Sequence, residues 1–204
     1  MSDCGCGIEI KNREERRTLI ALFAINSVMF LAEFSAGIIG DSTALIADSL
    51  DMLADASVYA IGLYAVGRSL RVKAGAAQVS GIFQIVLGLG VLFDIVRRTF
   101  LGSEPEPSFM IVVGLVALAA NTLCLLLIHK HRHGEVHMRA SWIFSKNDVI
   151  ANVGVIIGGL LVSSLNSSWP DLVIGLVIAA VVVRGGVHII KDANATIASR
   201  EQGA

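Results

Sequence analysis

The sequence predicts an all-α membrane protein, a six-transmembrane-helix bundle with both termini in the cytoplasm. Three observations carry this. The 204 residues are 54% hydrophobic and 16% charged, with a mean hydropathy of +0.72, whereas a soluble domain carries about a quarter charged residues. The apolar residues gather into six runs long enough to cross a bilayer, which takes about 17–25 residues of helix. The basic residues sort to alternate connections, as the positive-inside rule requires.

The runs are expected at 18–39, 43–66, 75–97, 108–128, 141–164 and 171–190. The first follows a charged tail, as in a signal peptide. It continues too long for one, contains Asn26 and Glu33, and lacks a small-residue cleavage site, so it reads as a retained helix. The connections are GDS, RSLRVK, TFLGSEPEPS, HKHRHGEVHMR and NSSWP in turn. Lys11, Arg13, Arg16 and Arg17 precede the first run, Arg68, Arg71 and Lys73 follow the second, Lys130, Arg132 and Arg139 follow the fourth, and Lys191 and Arg200 follow the sixth. The opposite side has only Arg97 and Arg98, beside Glu104 and Glu106. This places residues 1–17 in a cytoplasmic tail, 18–191 in the membrane domain and 192–204 in a second short tail. Twenty glycines fit tightly packed membrane helices, because small residues let backbones approach.

The second run holds ALIADSLDMLADA, with three acids in apolar company. Asp51 and Asp55 stand four apart and share a helix face; Asp48 is near the same face. An ionisable group at bilayer depth is costly and faces a cavity, a partner or an ion path. Like charges in a dry site cannot all stay ionised, and a divalent cation removes the repulsion. The plainer reading is pairing with a base. Only Lys146, Arg184 and His188 are available within the runs, and Glu33 and Asp94 compete for them. In the fifth run SKNDVIAN supplies Asn147, Asp148 and Asn152, the last two again at helical spacing. Three carboxylates and an amide oxygen on two facing helices make a compact four-ligand set. For the two asparagines, interhelical hydrogen bonding is the ordinary alternative.

These segments resemble the cation diffusion facilitators, six-helix exporters of divalent transition metals driven by proton antiport. ALIADSLDMLADA is similar to the family's second-helix signature. Glu33 in the first run with GIIGDSTAL after it, Asn121 in the fourth, a His-rich loop before the fifth, NDVIANVGVIIGG, and WPDLVIGLVIAAVVVRGGVHIIKDA follow in the family's order. The resemblance covers nearly the whole chain. It places the central metal site on Asp51, Asp55 and Asp148. The family's helix-five partner, usually His or Asp, falls on Phe144, which cannot ligate. A shifted register instead pairs Asp148 with Asn152; the first alignment is preferred because NVGVII then matches. The resemblance also implies a short form without the family's cytoplasmic C-terminal domain, leaving homodimerisation to the membrane helices.

Outside the runs, His129, His131, His133 and His137 crowd one loop, and imidazole suits Zn, Cu, Co and Ni. A hydrophilic loop without a metal role is the alternative. Cys4 and Cys6 sit in DCGCG on the same side, as thiols in a reducing compartment. A CxC pair alone is too short for a site, so it can only assist capture. Cys124 reads as a small packing residue.

A net charge of −1 gives no electrostatic case for nucleic acid. No nucleophile–base set or cofactor fingerprint occurs, so an enzyme is not expected. A small-drug exporter should line its site with aromatics, which are 6% here. A non-transporting assembly or regulatory protein with structural polar networks should balance acids and bases, yet acids exceed bases in the runs. The expected function is efflux of a divalent transition metal, Zn first, with Cd, Co, Fe or Mn as alternatives, across a cell membrane, the bacterial inner membrane. The partners are lipid, the cation and protons. The cation is transported substrate, and no resident cofactor is expected.

Overall fold

The computed structural model describes residues 6–65, 70–130 and 136–201 and is all-helical over them. Six helices follow in order: α1 Cys6–Ile39, α2 Thr43–Ala65, α3 Leu70–Leu101, α4 Pro107–His129, α5 Val136–Leu165 and α6 Trp169–Glu201. Each contains its expected apolar run over the described residues, α2 ending at Ala65. Several continue well beyond it, so α1 already begins at Cys6 within the expected tail and α6 continues to Glu201. Five helices, all but α2, are long and apolar enough to cross a membrane. The three acids of α2 lower its apolarity. It is nonetheless the central element, the one helix that touches all five others. The outer helices turn large apolar side chains outward, among them Val28, Leu31, Phe93 and Phe100, whereas α2 shows only Tyr64 in this way among the described residues.

Three short connections meet at one end. Each is entered through a left-handed residue: Asp41 at φ 49°, Gly102 at φ 85° and Asn166 at φ 46°. Gly, Asn and Asp tolerate this conformation best, and it is what ends a helix sharply. After α1 the Ser42 N–H donates to the Gly37 carbonyl at 2.9 Å and the Asp41 N–H to the Ile38 carbonyl at 3.4 Å, a Schellman closure with Asp41 in the left-handed place. Ser42 then caps α2 at once, its Oγ accepting from the Leu45 N–H at 3.2 Å. Asp171, from the first turn of α6, completes the cap. Its carboxylate accepts from Ser42 Oγ at 2.6 Å, the Thr43 N–H at 2.7 Å and the Ala44 N–H at 3.0 Å. It is fully buried. The orphan donors of α2 are thus satisfied by another helix rather than by water.

Buried Arg98 braces the same end. Its Nε donates to Asp94 at 2.6 Å, and its Nη1 reaches both the Asp41 carbonyl at 2.7 Å and the Asp41 carboxylate. Asp94 also holds Arg97 at 2.7 Å. Asp94 therefore spends its charge on its own helix and does not draw on Lys146, Arg184 or His188. Lys146 faces the Trp142 ring at 6.0 Å from its centroid, not an acid of α2.

Below this end lies an apolar plug of Ala44, Leu45, Ala47, Val91, Ile95, Met110, Val155, Val162, Ile178, Ala179 and Val182. Lipid tails are as apolar as these side chains, so close backbone approach, not water exclusion, holds such helices together. The α3–α6 crossing shows this most sharply: a Cβ at Gly81 would stand 2.7 Å from the Gly186 carbonyl oxygen.

Candidate functional site

On the far side of the plug from the three turns, a cavity of about 470 Å³ opens between α2, α3, α5 and α6. Asp51 and Asp55 reach it from α2, Asn147 and Asp148 from α5 and Gln84 from α3. Helical spacing explains the three acids: Asp51 and Asp55 are one turn apart on the α2 face toward α5, and Asp148 lies on the α5 face toward α2. The cavity extends along α6 to Lys191, and so toward the end that carries the chain termini. Asp55 and Asp148 are buried, while Asp51 is half-buried.

The carboxyl groups of Asp55 and Asp148 are close neighbours, and two ionised carboxylates side by side repel unless a proton or a cation comes between them. Tyr59, one turn beyond Asp55, fixes that carboxylate by donating from its hydroxyl at 3.1 Å. Among the described residues, no three His, Cys, Asp or Glu side chains are already closed to metal-ligand distances. The acids line a chamber instead of forming a finished cage. Arg184 and His188 line it too, as does Lys191. The bases of α6 therefore do share the acids' surroundings, although none forms an ion pair with the three acids among the described residues; His188 stands 3.4 Å from Asp192.

Asp48 and Asn152 lie elsewhere. The Asn152 amide donates to the Asp48 carboxylate, and the Asn121 amide donates to Asn152 Oδ1 at 2.9 Å. Glu33 of α1 is fully buried, its oxygens receive no conventional donor, and its carboxyl lies beside that of Asp48. A polar chain, Glu33–Asp48–Asn152–Asn121, thus crosses α1, α2, α5 and α4. Neither Asp48 nor Asn152 is among the residues that line the cavity. Asn152 makes the interhelical hydrogen bonds of the ordinary alternative. Asn147, by contrast, does line the cavity.

His129 closes the last turn of α4, with its side chain exposed. His131, His133 and Cys4 lie outside the described residues, as do the side chains of His137, Cys6 and Phe144. Cys124 is buried and receives a long contact from Asn26 at 3.8 Å, a packing position. Three residues have no role among the sequence expectations: Tyr59, Asp171 and Gln84. Asp171 could have been found from the pairing of a Ser cap in GDSTAL with an acid opening the last run. Gln84 gave no signal, being a lone amide in an apolar stretch.

A family model described as the cation efflux transmembrane domain matches residues 19–197. The zinc transporter ZitB of Yersinia pseudotuberculosis is 25% identical over 197 residues, covering 89% of this chain and 62% of the relative. The cadmium, cobalt and zinc/H(+)-K(+) antiporter of Bacillus velezensis is 22% identical over 191 residues, covering 87% and 61%. The metal cation efflux system protein CzcD of Cupriavidus metallidurans is 26% identical over 177 residues, covering 80% and 55%. This chain therefore spans about three fifths of the length of the curated relatives it matches.

Proposed function

Since the chain belongs to the cation efflux family, we propose that it exports a divalent transition-metal cation in exchange for protons, with Asp51, Asp55 and Asp148 as the site both compete for. The observation that carries this is the meeting of three carboxylates from α2 and α5 in one intramembrane cavity. Carboxylates must be deprotonated to ligate, so metal binding releases protons and reprotonation expels the metal. Asn147 is a further oxygen donor on the cavity wall.

The distribution of Lys and Arg supports cytoplasmic termini. The cavity then faces the cytoplasm while the apolar plug closes the other side, the arrangement for loading. Parting the plug and closing the end near Lys191 would present the same acids outward. The relatives' names favour zinc as cargo. An oxygen-rich donor set also suits Mn or Fe(II). The loop histidines, with Cys4 and Cys6, would gather metal at the entrance, and a homodimer would form through membrane helices.

Proteoliposomes with an imposed pH gradient and a panel of metals test the reading. Asp51→Ala, Asp55→Ala and Asp148→Ala should each abolish uptake while the protein still inserts. Near-normal uptake by all three variants rejects the site. Replacing His129, His131, His133 and His137 by Ser should weaken capture at low metal yet leave transport intact at saturating metal.

A further inference from the structure

Gln84 is the one cavity residue that neither the acids' spacing nor the family signature accounts for. It comes from α3, on the wall opposite α5, and is 3% exposed. Its Oε1 is fully buried and accepts no hydrogen bond. An amide carbonyl left without a donor inside a membrane protein costs about 1–3 kcal/mol, so its retention needs a reason. Packing alone does not supply one: a leucine would fill the same space without the penalty. The surroundings make room for the amide. Oε1 lies against Gly185 of α6, where even an added Cβ would stand 3.6 Å away in ordinary contact and offer no donor. The adjoining Gly81–Gly186 contact holds α3 and α6 close enough to keep Gln84 against the chamber.

We infer that Gln84 supplies a neutral oxygen ligand to the cargo cation, opposite Asp51, Asp55 and Asp148, and thereby tunes which metal the chamber accepts. The inference rests on the export reading. An amide oxygen without a donor, on a residue of the chamber that three carboxylates also line, is a poor neighbour until a cation arrives, and can then turn to become a ligand. Rotating the amide about its last torsion turns either the oxygen or the nitrogen toward the chamber. Hard oxygen donors suit Mn and Mg-like ions, whereas imidazole suits Zn. With Phe144 at the position that carries a ligand in the family, a fourth oxygen from α3 would make the set oxygen-only.

The test is competition binding of Zn against Mn to the purified full chain in nanodiscs, comparing wild type, Gln84→Leu, Gln84→Glu and Asp148→Ala. Losing one supporting oxygen should weaken Mn binding roughly ten-fold, the lower end of what removing a group around a metal costs, with a smaller change for Zn. Gln84→Glu keeps the shape and adds charge to the oxygen, so it should tighten Mn binding. Two results overturn the ligand role: Gln84→Leu binding both metals as wild type does, or Gln84→Glu weakening Mn as Gln84→Leu does. The second would mean that Gln84 only positions α3 or donates to an acid. If Gln84→Leu fails to fold, the Gln84→Glu arm still decides. The broader reading fails separately, through a wild type that binds neither metal or an Asp148→Ala variant that binds as wild type does.

Discussion

Replacing Asp171 by Ala removes an acceptor that three donors share. Ser42 Oγ, the Thr43 N–H and the Ala44 N–H lie 2.6, 2.7 and 3.0 Å from its oxygens, and the group is wholly buried. A hydrogen bond to a charged group contributes about 1.5–3 kcal/mol, and an orphaned buried donor costs a similar amount. The three are not independent. Ser42 Oγ can turn elsewhere while it still accepts from the Leu45 N–H, and the two amides share the positive end of one helix dipole. The expected loss is therefore about 3–5 kcal/mol, below the sum of three separate bonds. Asp171→Asn retains one acceptor oxygen and should lose about half as much. Reversible SDS-titration unfolding of the purified protein measures it. A double-mutant cycle with Ser42→Ala then separates capping of α2 from any effect of Asp171 on its own helix. A loss under about 1 kcal/mol in Asp171→Ala, or no coupling to Ser42, would show that α2 does not depend on this borrowed cap.

Gly81→Ala should cost about 1–3 kcal/mol by forcing α3 from α6, while Gly90→Ala, whose added Cβ meets nothing within 4 Å, should be neutral in the same unfolding assay. Asn152→Ala should lower stability by about 1–3 kcal/mol because Asp48 loses a donor and Asn121 an acceptor, yet leave metal affinity within about three-fold, under 1 kcal/mol; abolished binding would make Asn152 a ligand and favour the shifted register. Phe144→His should raise the Zn/Mn preference through an added imidazole one turn from Asp148, and an unchanged preference in a folded variant would remove position 144 from the site.

Six helices were readable because each apolar run carries its own length signal, and over the described residues every run lies inside a helix. Helix ends were less readable. Residues such as Arg71, Lys73 and Asn194 are polar enough to suggest loops, yet helix formation does not stop where the membrane does. The turns at 40–42, 102 and 166 announced themselves, since Gly, Asp and Asn punctuate chains by their tolerance of the left-handed region. For the site, i, i+4 spacing put Asp51 and Asp55 on one face without any knowledge of the fold. The separation of Asp48 from them was not legible: a residue three positions away can turn toward either neighbour, and only the placement of α1 and α4 decided that it meets Glu33 and Asn152. Gln84 depends wholly on the α3–α6 crossing, which no local pattern encodes.

The position of α2 at the centre of the bundle has a consequence for how the chain enters the bilayer. Its seven Leu, Ile and Val side chains favour insertion by about 2–4 kcal/mol, against about 8–10 kcal/mol for three carboxylates at membrane depth. Alone, this segment would be left in water by the insertion machinery. Only three residues, Gly40 to Ser42, separate it from α1, so the two must enter as a helical hairpin, with the greasier partner carrying the acidic one. The acids then stay exposed to the translocon channel or to water until α5 and α6 arrive, more than eighty residues later in synthesis. Biogenesis of this protein is therefore delayed at its central helix: the segment made second waits for the last helices to complete its surroundings.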